Sequence, residues 1–424
     1  MKILYLIHQF FPMHYTGTER VVFNTASLMR KMGHNVKVIT YSFYEDSFYD
    51  SNGAEILSKS FSYKGIDVLA LRHRKIPAEL DFNIRDNALA KISESIISRE
   101  MPDIVHVGHP MRISELIFAA KRLGIPYMFT LTDFWLICPR FTLVNSHGDL
   151  CAGPEDCSAC RTNCPELSSG AICERLVEAK YLLEGASALT APSEFLAGIF
   201  NNELPPLDIK VIRHGLRHAF LKKNMRQFWK DDIITLGYCG SLNAHKGVHV
   251  AIEAVKRIRN DRLRFVIYGS GDPVYTARLE AMAQGDPRIE FRGIFTDSQA
   301  ADVFSMIDVV VIPSLWFETY VLTIREAFLC TIPVIASNVG VMADAVRDGI
   351  NGFTFRIGDP EHLREVIEKI LSDTTMLNSM KAGIGQDFIP TVEQEACAYN
   401  SIYNSHRVMR TDNSTVTTSI VEKQ

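Results

Sequence analysis

Residues 308–337 read DVVVIPSLWFETYVLTIREAFLCTIPVIAS, and this stretch decides the fold. The apolar run DVVVIP is typical of a strand that is buried on both faces. The segment TYVLTIREAFLC carries apolar residues at helical spacing, and a second apolar run, PVIAS, follows it. Strand, loop, helix and strand in this order predict two parallel strands that are joined by a crossover helix.

Two glutamates, Glu318 and Glu326, lie at the start of the predicted helix. A helix rises about 1.5 Å per residue, so their carboxylates would lie roughly 12 Å apart along the axis. This is close to the distance from the sugar to the ribose in a nucleotide-sugar. The backbone N–H groups of Thr319, Tyr320 and Val321 would face the diphosphate, because a helix N-terminus attracts anions. The alternative is a pair of solvated glutamates, but the strand–loop–helix context favours binding.

Length and composition exclude several classes of protein. The chain has 424 residues, which is typical of two or three domains, and 47% of them are hydrophobic. A net charge of −4 gives no reason to expect a nucleic-acid partner. No apolar run is long enough to predict a membrane span. The N-terminal MKILYLIHQFF is interpreted as a buried strand, because no small-residue cleavage site follows it.

Strand and helix patterns alternate in two series, which predict an α/β fold with two Rossmann-like domains facing across a cleft. Residues 1–205 would form the acceptor-side domain, with a cysteine-rich insertion at about 138–173. Residues 206–385 would form the nucleotide-sugar-binding domain. Residues 386–410 are patterned as a helical segment that could pack back on the first domain. The polar tail 411–424 is expected to be disordered.

Four motifs together resemble one known family. They are HYTGTERVV, GYCGSLNAHKGVHVAIEA, the segment from Glu318 to Glu326, and SNVGVMADAVRDGINGFTF. The chain resembles the retaining glycosyltransferases of family 4, which have the GT-B fold, over most of residues 1–390. The resemblance implies transfer of a hexose from a nucleoside-diphosphate sugar to a hydroxyl group of a glycan or lipid-linked acceptor.

The resemblance assigns roles to the glycine loop and to Lys246. Gly17 falls on the second glycine of the family's loop, while Thr16 replaces the first. A residue without Cβ allows backbone to approach a ligand closely, although a glycine at a helix entry is the alternative. Lys246 would place its charge on the departing diphosphate, and an exposed helix-start lysine is the alternative. Ser241 stands where the family usually has an arginine.

Two further candidates lie in the first domain. In DIVHVGHPMR, His109 is the expected substitute for a histidine that the family places in this loop, and a structural histidine is the alternative. In LTDFWLICPR, Thr132 stands where the family commonly has histidine. Asp133 is therefore expected to bind the acceptor or to assist as a base, unless it only caps a helix.

Six of the nine cysteines lie between Cys138 and Cys173. The close spacing of Cys157, Cys160 and Cys164 would let thiolates converge on one tetrahedral ion. The expected ion is structural zinc, with an iron–sulfur cluster as the alternative. Disulfides would instead suit an oxidising compartment. The expected ligands are Cys151, Cys157, Cys160 and Cys164, with Cys138 as a substitute for one of them.

No cofactor is expected to be required for catalysis, because no Asp-x-Asp pair suits a magnesium–diphosphate site. The expected partners are the nucleotide-sugar and the acceptor, without nucleic acid. The expected location is cytoplasmic, with peripheral contact with the inner face of the membrane left open. Two other functions stay open: a nucleotide-sugar epimerase, and a silent nucleotide-sugar-binding subunit. The replacements at Ser241 and Thr16 favour the latter.

Overall fold

The computed structural model describes residues 1–50, 54–167, 169–204, 206–386 and 388–405. These residues form two compact units. The first comprises Met1–Gly215 and the chain from Val392 onward, and the second comprises Leu216–Thr391. The chain therefore leaves the first unit near residue 215, later than the predicted boundary at 205, and returns to it at residue 392. The predicted tail 411–424 and the end of the predicted segment 386–410 lie outside the described residues.

The first unit contains an eight-stranded sheet in the order β3-β4-β2-β1-β5-β6-β7-β8. All neighbouring strands are parallel except β3 and β4. The strands are β1 (Lys2–Ile7), β2 (Asn35–Tyr41), β3 (Ile56–Tyr63), β4 (Ile66–His73), β5 (Ile104–Val107), β6 (Tyr127–Thr130), β7 (Ala188–Ala191) and β8 (Ile209–Val211). The helices are α1 (Gly17–Lys31), α2 (Asn87–Glu100), α3 (Ser114–Arg122), α4 (Ser158–Asn163), α5 (Ser169–Glu184) and α6 (Glu194–Glu203).

The second unit contains a six-stranded parallel sheet in the order β11-β10-β9-β12-β13-β14. The strands are β9 (Ile234–Cys239), β10 (Leu263–Tyr268), β11 (Ile289–Gly293), β12 (Val309–Ile312), β13 (Val334–Ser337) and β14 (Gly352–Phe355). The helices are α7 (Val248–Arg257), α8 (Pro273–Ala283), α9 (Ala300–Ser305), α10 (Leu322–Leu329), α11 (Gly340–Ala345), α12 (Pro360–Ser372) and α13 (Met376–Gly383). These two α/β units confirm the predicted Rossmann-like fold class.

In each sheet the strand order reverses beside the first strand of the unit. β1 lies between β2 and β5, and β9 lies between β10 and β12. Such a reversal opens a crevice at the carboxyl ends of the strands, where ligands bind in open α/β sheets. The loops that follow β1 and β9 therefore occupy the expected binding position of each unit.

The antiparallel pair β3 and β4 was missed by the sequence analysis. Tyr63 pairs with Ile66, so only Lys64 and Gly65 form the turn. Both have positive φ, at 47° and 81°. The type I′ hairpin turn requires positive φ at both central residues, and glycine adopts this conformation at little cost. The signal in the sequence was the short polar turn between two runs of alternating apolar residues.

A C-terminal helix over residues 392–405, α14, belongs to the first unit. It buries Tyr399 and Tyr403 against the sheet. The Tyr403 hydroxyl lies 2.6 Å from His106 Nδ1 and 3.0 Å from the Tyr5 hydroxyl. The Tyr399 hydroxyl accepts a hydrogen bond from Thr130 at 3.1 Å. Polar groups at this depth need partners, so this network fixes how the helix packs on the sheet.

We expect Tyr403→Phe to lower the free energy of opening of α14 by about 1–3 kcal/mol, because it leaves buried partners of its hydroxyl unsatisfied. Hydrogen exchange of the amides of residues 392–405 measures this directly. Tyr63→Phe is the matched control, since the Tyr63 ring packs against Phe11 and Phe23 and its hydroxyl makes no hydrogen bond with the described residues. Equal exchange in both variants would contradict the role assigned to the network.

Candidate functional site

The loops after β9 and β12 bring Lys246 and Glu318 together. Lys246 Nζ lies 2.7 Å from Glu318 Oε1. The same oxygen accepts hydrogen bonds from Ser314 Oγ at 2.7 Å and Trp316 Nε1 at 2.9 Å. Glu318 is only 8% exposed. All three of these hydrogen bonds are made to Oε1, so the protein fixes this carboxylate oxygen in place.

The electrostatics of this pair favour two charged groups. Burial alone would raise the pKa of Glu318, but the charge of Lys246 and the three hydrogen bonds together lower it below its ordinary value. The Lys246 ammonium also lies 4.9 Å above the Trp316 ring. Burial and the charge of Lys246 lower the pKa of the neighbouring His245 to about 4. His245 is therefore neutral near pH 7 and adds no positive charge.

Gly247 explains why the two loops lie so close together. It follows the single helical turn Ala244–Lys246 and has a φ of 68°. A Cβ atom at this position would lie 1.9 Å from the carbonyl oxygen of Pro313, so any side chain would push the loops apart. The Leu315 N–H also donates to the His245 carbonyl oxygen at 2.8 Å. This backbone contact holds Lys246 against the loop that carries Glu318.

Helix α10 begins later than the sequence predicts. Its first residue is Leu322, and Val321 is its N-cap in the left-handed region, with φ 56° and ψ 80°. Glu318, Thr319 and Tyr320 therefore precede the helix. The distance between the Glu318 and Glu326 carboxylates that was predicted from the helical rise does not apply, because the helix does not extend over both residues. The backbone N–H groups without a partner inside the helix therefore begin at Leu322 instead. A β-branched residue with positive φ is strained, and such strain is often held at functional sites.

Glu326 is half-buried on α10 and lies near the end of β9. Burial raises the pKa of the Cys239 thiol, and the charge of Glu326 raises it further. Thr323 fixes the helix in this position, because its hydroxyl donates to the Cys239 carbonyl oxygen at 3.1 Å. Both predicted glutamates therefore lie at the same edge of the sheet in the second unit.

In the first unit the structure brings His109 and Asp133 together, after β5 and β6. His109 Nε2 lies 2.8 Å from Asp133 Oδ2, and its Nδ1 accepts the Met111 N–H at 3.2 Å. Because Nδ1 accepts, the proton of the neutral ring is on Nε2 and is donated to Asp133. Asp133 Oδ1 accepts from the Trp135 N–H at 2.9 Å. Each predicted residue thus orients the other.

Glu19 is fully buried on α1 and was not predicted as a site residue. It accepts hydrogen bonds from Gln9 Nε2 at 2.9 Å and from Thr16 Oγ1 at 2.5 Å, and it lies 3.6 Å from His8 Nε2. The signal was Thr16 followed three residues later by a glutamate, a pattern that is typical of a helix start. Gly17 is the first residue of α1. This position is compatible with both interpretations of Gly17, a close approach of the backbone to a ligand and a glycine at a helix entry.

The predicted metal-ligand set requires a correction. Cys157 is wrong as a ligand, because it forms a disulfide with Cys173. Cys138, Cys151, Cys160 and Cys164 are free thiols. Within the residues that the structure describes, no group of three or more His, Cys, Asp or Glu side chains could hold a metal ion in its present arrangement.

Among the helices of the described residues, none has the length and the apolar character that a membrane span requires.

Comparison with known proteins identifies the family. The family model described as "Glycosyltransferase Family 4" matches residues 15–220, and the family model described as "Glycosyl transferases group 1" matches residues 234–373. The chain is 30% identical over 165 residues to a D-inositol 3-phosphate glycosyltransferase of Stackebrandtia nassauensis, which covers 36% of this chain and 37% of the relative. It is 24% identical over 370 residues to the sulfoquinovosyl transferase SQD2 of Arabidopsis thaliana, which covers 82% and 62%.

Solved structures show the same fold. HepE of Anabaena, solved with UDP and glucose, superposes with a TM-score of 0.67 at 19% identity, over 96% of this chain and all of that chain. A sucrose-phosphate synthase from Thermosynechococcus elongatus has a TM-score of 0.68 at 16% identity, over 96% and 99%. The chain therefore belongs to the family 4 type of glycosyltransferases with the GT-B fold. It spans between about one third and two thirds of the length of the curated relatives named above.

Proposed function

We propose that the protein is a retaining glycosyltransferase that moves a hexose from a nucleoside-diphosphate sugar to a hydroxyl group of a glycan or lipid-linked acceptor. The observation that carries this proposal is the ion pair of the partly exposed Lys246 with the buried Glu318, beside the reversal of strand order in the second unit. A cation and a carboxylate at this position suit the two ends of the reacting bond, the diphosphate and the sugar.

On the donor side, the bond from the anomeric carbon to the diphosphate breaks, and its electron pair stays on the diphosphate. Lys246 stabilises the charge that develops there. Oε2 of Glu318 accepts from sugar hydroxyls, while Oε1 holds the lysine in place. Glu326 accepts from the ribose hydroxyls. The N–H groups at the start of α10 face the diphosphate, where the helix dipole favours an anion.

The environment of Glu318 also bears on the stereochemistry. A carboxylate with a lowered pKa that accepts three hydrogen bonds is a weak nucleophile, so a covalent sugar–enzyme intermediate on Glu318 is disfavoured. Retention then proceeds by attack on the face that the diphosphate leaves. The acceptor hydroxyl forms the new bond to the anomeric carbon, and its proton passes to the departing diphosphate oxygen.

On the acceptor side, the His109–Asp133 pair is the proposed binding element of the first unit. Asp133 fixes the His109 tautomer and the direction of its ring through the 2.8 Å hydrogen bond. An acceptor hydroxyl would donate to the Asp133 carboxylate, which is partly exposed. The pair would position the acceptor rather than transfer its proton, since both nitrogens of His109 are already in hydrogen bonds.

The function is tested by a thermal-shift screen of the purified protein with UDP-, GDP-, dTDP- and ADP-sugars, followed by a transfer assay. A ligand at 100 times its Kd should stabilise the protein by about 2.7 kcal/mol. Release of nucleoside diphosphate that depends on an added acceptor supports the proposal. Interconversion of the free nucleotide-sugar without transfer would instead identify an epimerase. Binding without turnover on any acceptor would identify a silent binding subunit.

We expect Glu326→Ala to weaken binding of the nucleoside diphosphate selected by this screen by about 1–3 kcal/mol, because the ribose hydroxyls lose their acceptor. This corresponds to a roughly 5- to 150-fold higher Kd in calorimetry. Glu365→Ala, an exposed glutamate on α12, is the control and should bind as the wild type does. Equal affinities in the two variants would remove Glu326 from the site.

A further inference from the structure

The loops that follow β1 and β5 carry three buried nitrogen atoms without hydrogen-bond partners among the described residues. They are Nδ1 of His8, Nε2 of His14 and Nη1 of Arg112. His8 is 9% exposed, and so is the side chain of Arg112. A buried polar group without a partner costs free energy, and the cost is greater for a charged donor. Groups from outside the chain must therefore supply the partners of these atoms.

Side-chain contacts place the three residues in one neighbourhood. The His8 ring packs on the His109 ring, with 4.0 Å between their centroids. Nδ1 of His109 accepts the N–H of Met111, the residue before Arg112. Burial lowers the pKa of His8, and the charges of Arg112 and His14 help to lower it further. Such an effect falls off with distance, so the two loops bring the three side chains close to one another.

Arg112 is held so that one of its nitrogens stays available. Its Nε and Nη2 both donate to the carboxylate of Asp81, and its guanidinium carbon lies 4.8 Å from the centre of the Phe43 ring. These contacts fix the guanidinium and leave Nη1 outside the ion pair. Asp81 is 60% exposed, so solvent screens its charge more than that of the buried guanidinium. Nη1 can only donate, and a guanidinium is well suited to an oxyanion.

The carboxylates of Glu19 and Asp133 near these nitrogens already have partners of their own. Glu19 accepts two hydrogen bonds from side chains of the loop after β1, and Asp133 accepts one from His109. Neither makes a hydrogen bond with the three nitrogens that lack partners. A fixed carboxylate repels an anion, so an anionic group is expected to bind at Arg112 and not at Asp133.

We propose that Arg112, His8 and His14 bind a phosphate group of the acceptor. Phosphate has three strong acceptor oxygens, Nη1 of Arg112 supplies two N–H donors, and each imidazole supplies one. Burial lowers the pKa of His14 as it does that of His8, so both rings are neutral in the free protein near pH 7. A phosphate beside them would favour their protonated forms, because an opposite charge stabilises the imidazolium.

The phosphate site lies next to the proposed acceptor pair. Packing of His8 on His109 places it beside the ring that Asp133 orients. An acceptor would then be held at two points, with its reacting hydroxyl at Asp133 and its phosphate at Arg112. The inference rests on the proposed transferase function in taking the ligand as the acceptor, whereas the binding of phosphate itself does not depend on that function.

The test is calorimetry of the full-length protein with inorganic phosphate. Arg112→Gln should raise the Kd by about 10- to 150-fold, because it removes a charged donor. Arg122→Gln is the matched control, since this arginine is exposed and pairs with Glu94 at the end of α3. Lys246→Ala is titrated alongside, because the donor site would also take phosphate, and it should keep the binding that Arg112→Gln loses. Equal Kd values in Arg112→Gln and Arg122→Gln, or no binding by the wild type, would overturn the proposal.

A second variant covers the case in which Arg112→Gln does not fold. His14 lies half-buried in a loop, and its Nε2 has no partner to lose, so His14→Ala should fold as the wild type does. It should raise the Kd for phosphate by about 2- to 10-fold, the usual effect of one hydrogen bond. An unchanged Kd in His14→Ala would remove His14 from the site and, with no folded Arg112→Gln, would count against the proposal.

Competition identifies which molecule carries the phosphate. Displacement of inorganic phosphate by glycerol phosphate supports a soluble acceptor. Displacement only by vesicles that contain phosphatidic acid, and not by vesicles of phosphatidylcholine alone, supports a lipid-linked acceptor. Displacement by neutral glycerol as strong as that by glycerol phosphate would overturn the proposal, because the cluster would then bind hydroxyl groups.

The outcome also separates this inference from the transferase proposal. Phosphate binding that depends on Arg112, without transfer to any acceptor, leaves the site in place while the transferase proposal fails. If transfer occurs, Arg112→Gln should raise the KM for a phosphorylated acceptor and leave the KM for the donor unchanged. An unchanged acceptor KM in this variant would exclude Arg112 from the acceptor site.

Discussion

Lys246→Ala is expected to lower kcat by about 100- to 1000-fold, which is the usual effect of removing one group that stabilises a developing negative charge. The charge appears on the departing diphosphate only as the bond to the sugar breaks, so the ground state gains little from the lysine. We therefore expect a much smaller change in the affinity for the intact donor. Initial rates of nucleoside diphosphate release, measured at saturating donor, give the effect on kcat.

The same change has a second consequence, because Lys246 is the cationic partner of a buried carboxylate. Without it Glu318 is left charged and only partly compensated, which destabilises a folded protein. Circular dichroism must therefore show that Lys246→Ala is folded at the assay temperature. Lys246→Arg keeps the charge and should retain more activity. The surface variant Lys256→Ala is the control for an ordinary lysine, since this residue is exposed and its ammonium donates to the Met282 carbonyl oxygen. Wild-type turnover in Lys246→Ala would exclude the proposed role.

Most of the fold could be predicted from the sequence, because parallel strands that are buried on both faces leave continuous apolar runs. DVVVIP and PVIAS became β12 and β13 with only their ends displaced. The hairpin of β3 and β4 was missed because it departs from the alternation of strands and helices. The start of α10 was misplaced because left-handed geometry at Val321 is set by its surroundings and not by helical periodicity.

The candidate site was predicted residue by residue, but its contacts were not. The sequence places Glu318 at the start of a predicted helix and Lys246 in a separate segment that resembles the family, and only the parallel order of β9 and β12 brings the two to one edge of the sheet. Ser314 and Trp316 were overlooked because a serine and a tryptophan in a loop carry no periodic signal. Cys157 was misassigned because spacing along the chain does not distinguish a thiol pair from a ligand set, whereas the conformation of the loop does.

The Lys246–Glu318 ion pair contributes orientation of the carboxylate more than stability of the fold. Pairing a buried carboxylate with a partly exposed ammonium gives little net stability, because the desolvation of the carboxylate opposes the attraction. The three donors on one oxygen of Glu318 fix its direction before any ligand arrives. A group that is already oriented needs no reorganisation during the reaction, which is the property that makes electrostatic stabilisation effective.

Glu318→Gln is expected to reduce kcat by at least about 100-fold, while the nucleoside diphosphate alone binds nearly as it does to the wild type. Glutamine keeps the shape of the side chain and an oxygen for Ser314 and Trp316, but it removes the charge that holds Lys246 and accepts strongly from sugar hydroxyls. A fall of this size corresponds to about 2.7 kcal/mol of transition-state stabilisation. If nucleoside diphosphate affinity falls instead while turnover at saturation stays, Glu318 binds the nucleotide and not the sugar.

We also expect Glu318→Gln to change how the melting temperature depends on pH in the acid range. The pKa of Glu318 in the folded protein lies below its ordinary value, so the folded state stabilises the charged form. This stabilisation is complete above the unfolded pKa of about 4.3 and is lost as the pH falls through the lower folded pKa. Melting temperatures of the wild type and Glu318→Gln should therefore differ by a constant amount from pH 7 down to about pH 5, and the wild type should lose its advantage below that. Glu365→Gln serves as the control, because an exposed glutamate should leave the acid limb unchanged. Parallel curves for the wild type and Glu318→Gln down to pH 3 would show that Glu318 is not held as a charged partner of Lys246.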